Sequence, residues 1–449
     1  MFGLLSRFRR RRAASAIAKP YKPPAQRPSL LRYWSIVGIW IIVAAGGYFW
    51  LTSAKILREP VEISFGPRDA VFPDTLGPLL GAEFSGGNRI TPLINGERFF
   101  PVMLEAIRNA QKSVTLETYI WSSGKISDQF IEALSERARA GVKVHVLADG
   151  MGSLKLADSE QRRMKDAGVE FLVYAREHWW RVKPNINHRT HRKILVVDGR
   201  IGFTGGMCID DRWLGDADSE DVWRETQIRV EGPVVRQMQA VFTTNWLQTT
   251  GRLLAGPDYF PESRAAGDSL AQCYKSGRNE NPENARIAHM MAIASARRSI
   301  KIAQAYFVPD DLAIETLLAA RRRGVEIDVV VPAINDSRFG RAASRSRWGK
   351  LLEAGVRIHQ YRPAMYHCKV MIVDDVFATV GSVNFDNRSF AINDEIALNV
   401  LDPSVARALL KSFDDDVRRS DLLDLETFRA RPLLVKAADH FCGLFRSQL

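Results

Sequence analysis

The 449-residue chain is 46% hydrophobic and 25% charged, which excludes general disorder, and its length suits two ordinary domains or one large pseudo-symmetric unit. A formal charge of +12 points to anionic partners, either nucleic acid or a phospholipid surface. Residues 1–32 hold nine Lys and Arg and no Asp or Glu, leaving only +3 for the remainder. That is too little for a nucleic-acid groove, so no nucleic-acid partner is expected.

The basic tail, 1–32, is followed by "YWSIVGIWIIVAAGGYFWLT", 33–52, which carries no charge. About 20 apolar residues at about 1.5 Å each span a hydrocarbon core, and Trp34, Tyr48 and Trp50 lie near the ends where amphipathic rings favour the interface. The stretch reads as a transmembrane helix; it is long and deep in the chain for a signal peptide. The far flank offers only Lys55 and Arg58. Charge asymmetry therefore predicts a single-pass protein of the cell (inner) membrane, with a cytoplasmic N-terminus and the chain beyond residue 52 extracytoplasmic. Residues 53–89, with several Pro and Gly, read as a linker.

Beyond the linker the sequence repeats itself. The segment from Met103, "MLEAIRNAQKSVTLETYIW", answers to "MMAIASARRSIKIAQAYFV" from Met290. Each copy predicts a helix, a strand (114–120; 300–307), an amphipathic helix, a Gly (Gly141; Gly324) and an apolar strand (142–147; 325–331). Strands alternating with helices predict β-α-β crossovers. The fold class is α/β: two pseudo-symmetric halves, 90–255 and 275–430, with mixed sheets flanked by helices, joined by a polar linker, 256–274, and followed by a tail, 431–449. Cys208, Cys273, Cys368 and Cys442 show no metal-ligand spacing, so no metal and no cofactor is expected.

Late in each copy stands a matched motif, "HRKILVVDGRIGFTGG" from His191 and "HCKVMIVDDVFATVGS" from His367. Side chains two apart on a strand share a face, so His191 pairs with Lys193 and His367 with Lys369. Asp198 and Asp374 lie an odd number of residues away, which suits structural support. A pseudo-twofold axis would bring both strand ends into one site. There one histidine attacks phosphorus, the other protonates the leaving alcohol, and the lysines neutralise the non-bridging oxygens. The pairs Gly205–Gly206 and Gly381–Ser382 read as close backbone approaches near the phosphate. Parity turns Cys368 towards the core.

The doubled H-x-K-x-x-x-x-D followed by G-[G/S] resembles the phospholipase D superfamily signature, whose catalytic positions are here His191, Lys193, Asp198, His367, Lys369 and Asp374. Within it, "LETYIW", "LADGMGS", "NHRTHRKILVVDG", "AYFVPDD" and "GSVNFDNRSFAINDEIAL" are similar to bacterial cardiolipin synthases. The resemblance implies His191 as covalent nucleophile and His367 as general acid and then base. It also implies Asn384 and Ser382, with Gly205 and Gly206, as phosphate-binding positions. Glu225 and Glu395, matched between "RETQIRV" and "DEIALNV", would orient the histidines. The first half reads Gly-Gly-Met-Cys where the second reads Gly-Ser-Val-Asn, so Cys208 replaces an Asn.

The implied function is a membrane-anchored phosphatidyltransferase acting on phosphatidylglycerol. The alternatives are a phospholipase D with water as acceptor, a nuclease of the same chemistry, and a scaffold with a decayed site. "EHWWRVKPNINHRT", 177–190, reads equally as a lipid-dipping loop or as packed tryptophans. The basic stretch "RFGRAASRSRW", 338–348, reads as a solvated helix face or as a loop near the substrate entrance.

Overall fold

The computed structural model describes residues 30–52, 57, 59–174, 188–278 and 280–448, and its chain divides into two units, 1–52 and 53–449. In the first unit the apolar stretch forms the helix Leu30–Thr52, on which Trp34, Trp40 and Ile42 are exposed. Its side chains are described at 33–44, 46 and 47. Among the described residues no helix is long and apolar enough to cross a membrane. The basic tail before Leu30 and the tryptophan pair at 179–180 lie outside the described residues.

In the second unit the apolar runs become strands. The first half carries β1 (Ser85–Ile94), β2 (Ser113–Thr118), β3 (Lys143–Asp149), β4 (Glu170–Tyr174), β5 (Ile194–Val197), β6 (Ile201–Gly205) and β7 (Thr226–Glu231). The second half carries β8 (Ser269–Ser276), β9 (Ser299–Gln304), β10 (Glu326–Pro332), β11 (Arg357–Tyr361), β12 (Lys369–Val373), β13 (Phe377–Gly381), β14 (Glu395–Leu401) and β15 (Ser420–Leu423). They hydrogen-bond in the order β15-β11-β10-β9-β12-β13-β14-β8-β1-β7-β6-β5-β2-β3-β4. Reading outward from the β8/β1 junction, the two halves follow the same order, and β15 is an extra strand on the second.

The β2-β3-β4 and β9-β10-β11 runs are parallel, as crossover helices such as Lys125–Arg139 and Asp311–Arg322 require. The strands nearer the junction pair antiparallel, β5–β6 and β12–β13 as hairpins. Their four-residue and five-residue lengths, with both faces buried, explain why β5 and β12 read as continuous apolar runs. Each half has its own outer core. A third core, including Val196, Ile228, Trp246, Val370, Ile396 and Phe413, draws on both halves and locks them together.

The boundaries drawn from composition shift. The 53–89 stretch is more than a linker, because it holds the helix Val71–Leu80, whose Phe72, Leu76 and Leu80 are buried in the outer core of the second half. β1 begins before residue 90, and β8 occupies the end of the 256–274 join. The tail contains the helix Leu433–Gly443.

Candidate active site

Backbone pairing brings the two His-x-Lys triplets together. Each triplet sits at the N-terminal end of a hairpin strand, β5 or β12. The His191 amide donates to the Asp394 carbonyl at 2.8 Å, and the Asp394 amide donates to the Arg189 carbonyl at 2.9 Å. Likewise the His367 amide donates to the Arg224 carbonyl at 2.8 Å, and the Arg224 amide to the Met365 carbonyl at 2.9 Å. Asp394 and Arg224 immediately precede Glu395 and Glu225. Each bridge therefore seats one half's histidine beside the other half's glutamate. His191 Nδ1 lies 3.0 Å from both Glu395 carboxylate oxygens, and His367 Nδ1 lies 2.6 Å from Glu225 Oε2. The pairing is crossed, which the matched offsets of the two glutamates do not reveal. Arg224 is held by a bidentate contact to Asp416 at 2.9 and 2.8 Å, and Asp394 accepts from Tyr174 Oη at 2.8 Å and meets His188 Nε2 at 2.8 Å.

With Nδ1 taken, Nε2 is the working nitrogen of each ring. Both histidines line a cavity of about 400 Å³, together with Tyr119, Cys208, Trp223, Tyr306 and Asn384. Lys193 Nζ donates to the His191 carbonyl at 2.7 Å and lies over the Tyr119 ring. Lys369 Nζ donates to the His367 carbonyl at 2.5 Å and sits 3.0 and 3.1 Å from that ring's nitrogens. Trp213 and Trp223 pack against His367 at 5.2 and 5.0 Å between ring centroids, and Tyr119 against His191 at 5.1 Å.

Burial dominates the electrostatics. It pushes His191 down to about 4, and it holds His367 well below its ordinary value with help from the Lys369 charge. Burial also lowers Lys193 to about 8 and lowers Lys369. It raises Glu225 to about 7, against the pull of Lys369. The two dyads therefore differ. Ser382 Oγ donates to Glu395 Oε2, so that carboxylate is an acceptor, His191 donates from Nδ1, and its Nε2 lone pair is bare. The Glu225–His367 pair instead retains a proton to near neutrality. A bare nucleophile beside a proton-bearing pair suits in-line transfer of a phosphoryl group.

Other predicted positions do different work. Asp198 and Asp374 are not at the site; they sit at the far ends of β5 and β12 and cap the backbone of the neighbouring strand. Asp198 accepts from the amides of Gln111, Lys112 and Ser113, and Asp374 from those of Arg297, Arg298 and Ser299. Asp374→Ala is expected to cost about 3 kcal/mol, because three amides lose a charged acceptor, while the folded variant keeps its kcat. Urea denaturation measures the first and steady-state assays the second.

The glycines make room for protein atoms rather than phosphate. A Cβ on Gly206 would stand 2.4 Å from Glu225 Oε2, one on Gly205 1.7 Å from Gln227 Oε1, and one on Gly381 2.3 Å from the Ile396 carbonyl oxygen. Ser382, fully buried, holds Glu395 and does not face the cavity. Gly206→Ala should displace Glu225 and lower kcat about 100-fold, a smaller loss than removing a triad-type carboxylate. Asn384 does line the cavity, and its Oδ1 has no hydrogen-bond partner among the described residues. Cys208 occupies the matched place on the other wall, and Cys368 is fully buried.

Tyr119, Tyr306, Trp213 and Trp223 are site residues that the motifs missed. The tyrosines follow strands β2 and β9 within the repeat, a signal that was available; the tryptophans lie in an aperiodic loop that gives none. Among the described residues no cluster of His, Cys, Asp and Glu is set to hold a metal ion.

The sequence profile described as "Cardiolipin synthase, PLD-like domain" matches residues 103–246 and 290–417. Cardiolipin synthase of Geobacillus kaustophilus is 35% identical over 349 residues, 77% of this chain and 70% of that protein. Cardiolipin synthase 2 of Bacillus anthracis is 34% identical over 362 residues, 80% of this chain and 70% of that protein. The crystal structure of phosphatidylserine synthase from Haemophilus influenzae Rd KW20 shares the fold, with a TM-score of 0.60 at 14% identity over 84% of this chain and 100% of that one. By sequence, the chain belongs to the cardiolipin synthase family of phospholipase D-like proteins.

Proposed function

We propose that the protein is a membrane-anchored phosphatidyltransferase that moves a phosphatidyl group onto phosphatidylglycerol and so makes cardiolipin. The observation that carries this reading is the pair of crossed His–Glu dyads facing one cavity. His191 Nε2 attacks the phosphorus of one phospholipid, the phosphorus–oxygen bond to the headgroup breaks, and the leaving oxygen takes the proton on His367 Nε2 as the Glu225 proton moves to Nδ1. A hydroxyl of phosphatidylglycerol then gives its proton to His367 and attacks phosphorus, and the bond to His191 breaks. Lys193 and Lys369 neutralise the non-bridging oxygens, and Asn384 binds beside them.

The anchor is read from the sequence: the uncharged stretch 33–52 has the length of a single span. The preceding cations put the N-terminus in the cytoplasm and the catalytic unit on the other side of the inner membrane. Incubation with phosphatidylglycerol alone should yield cardiolipin and glycerol. Phosphatidic acid as main product would make it a hydrolase, and no turnover would reject the reading.

The pH profile follows from burial. His191 stays neutral down to about 4, so the acid limb of kcat/KM lies near that value. As pH rises through about 7 the Glu225–His367 pair loses the proton that the leaving oxygen needs, and kcat/KM falls. An assay between pH 4 and 9 on unmodified protein reads both limbs.

A further inference from the structure

The helix Leu433–Gly443 is amphipathic the wrong way round for a soluble surface. Its buried side carries Asp439, 2% exposed, gripped by Arg345 at 2.7 Å and by Arg431 at 2.5 Å. Gly443 packs so closely on the helix Arg338–Arg345 and its end that a Cβ would lie 2.5 Å from Ser346 Oγ. Apart from the exposed His440, the outward side is apolar. Leu434, Ala437, Ala438 and Phe441 recur at helical spacing, and Leu444 and Phe445 continue the stripe. Leu434 is 85% exposed, Phe441 59% and Leu444 62%. Phe339 extends the patch through its ring contact with Phe445 at 5.9 Å.

Two features say what covers this face. It is continuous with the reaction cavity: Phe339 lies between Ser337 and Gly340, and the chain after Phe445 ties to Asn387 and Arg388, whose guanidinium Nη1 donates to the Gln448 carbonyl at 3.2 Å. Ser337, Gly340 and Arg388 all line that cavity. The surroundings are also cationic. Arg345 pairs with Asp439, and Arg347 and Arg446 with Asp311, while Arg338, Arg341 and Lys436 add three further cations, so the surroundings keep a net positive charge. An apolar stripe rimmed by cations suits the boundary between acyl chains and anionic headgroups.

We propose that Leu433–Gly443 and the segment to Phe445 dock on an anionic phospholipid bilayer, which sets the cavity at the lipid surface. The inference rests on the reading that the substrate is a phospholipid, and it assigns the enzyme a second membrane contact besides the anchor proposed at 33–52.

The test uses the full chain in vesicles of phosphatidylglycerol and phosphatidylcholine doped with a phosphatidylcholine bearing a photoactivatable diazirine. Lipid adducts are expected on the peptide 433–448. They should fall about tenfold in the double variant Leu434→Gln/Phe441→Gln, whose exposed positions leave the thermal unfolding unchanged. Absence of adducts on 433–448 overturns the proposal, whether or not 33–52 is labelled. In a parallel sample treated with a bifunctional amine crosslinker, links from Lys436 to a second copy of the chain, with no lipid adducts on 433–448, overturn it as well. Labelling needs no turnover, so a chain that labels at 433–448 yet transfers no phosphatidyl group supports the docking and rejects the proposed activity.

Discussion

Glu395→Gln should lower kcat about 10,000-fold and abolish the phosphorylated enzyme, the scale of loss seen when an orienting carboxylate is replaced by its amide. The Ser382 hydroxyl donates to Glu395 Oε2. It fixes the acceptor oxygen of a glutamine there and puts the amide NH2 in the place of Oε1, where it also lies 3.0 Å from His191 Nδ1. Nδ1 then meets an NH2 donor where one carboxylate oxygen stood, and no negative charge holds its proton, so the tautomer protonated on Nε2 gains over the nucleophilic one and the phosphorylated ring loses its counter-charge. Glu225→Gln acts on the other step. The Thr226 amide donates to Glu225 Oε1 at 2.8 Å and would hold the glutamine oxygen in the same way. The pair then has no second proton to pass on, and the limb near pH 7 disappears from the kcat/KM profile. Crossed pairing sets the readout: rapid quench with labelled phospholipid should find no phosphohistidine in Glu395→Gln, although Glu395 is in the opposite half from His191. If Glu225→Gln is instead the variant without label, the nucleophile belongs to the other dyad.

Much of this was written in the sequence, and the rest is long-range. The two halves were legible because helix and strand periodicities recur with matched motifs, and the shared face of His191 and Lys193 follows from strand parity alone. Asp198 and Asp374 carry the same lesson in reverse: the motif groups them with the catalytic residues, but parity and strand length, about 17–23 Å from the triplet, take them away. The crossed dyads were hidden because they depend on Thr190 pairing with Asp394 and Tyr366 with Arg224, far apart in the chain. Gly206 and Ser382 look alike as small residues after a strand, yet one leaves room for a carboxylate and the other hydrogen-bonds one. The helix Val71–Leu80 was missed because its Pro and Gly suggest a linker, while Phe72, Leu76 and Leu80 at four-residue spacing carry the signal that won.

His191→Ala and His367→Ala should separate the two halves of the reaction. Without His191 there is no atom to hold the phosphatidyl group, so no phosphohistidine forms with any donor, and turnover falls about 10,000-fold or more. Without His367 the attack itself survives, because the Glu395–His191 dyad is made by residues outside the missing side chain. What fails is protonation of the leaving oxygen and activation of the acceptor. A donor whose headgroup is p-nitrophenol needs no protonation to leave. His367→Ala should therefore release one p-nitrophenol per active site in a burst and then stop, with label retained on His191, since no base remains to activate phosphatidylglycerol or water. His191→Ala should give no burst with the same donor. A burst in His191→Ala with none in His367→Ala would exchange the two roles, and the asymmetry between Ser382 beside Glu395 and bare Gly206 beside Glu225 would then need another explanation.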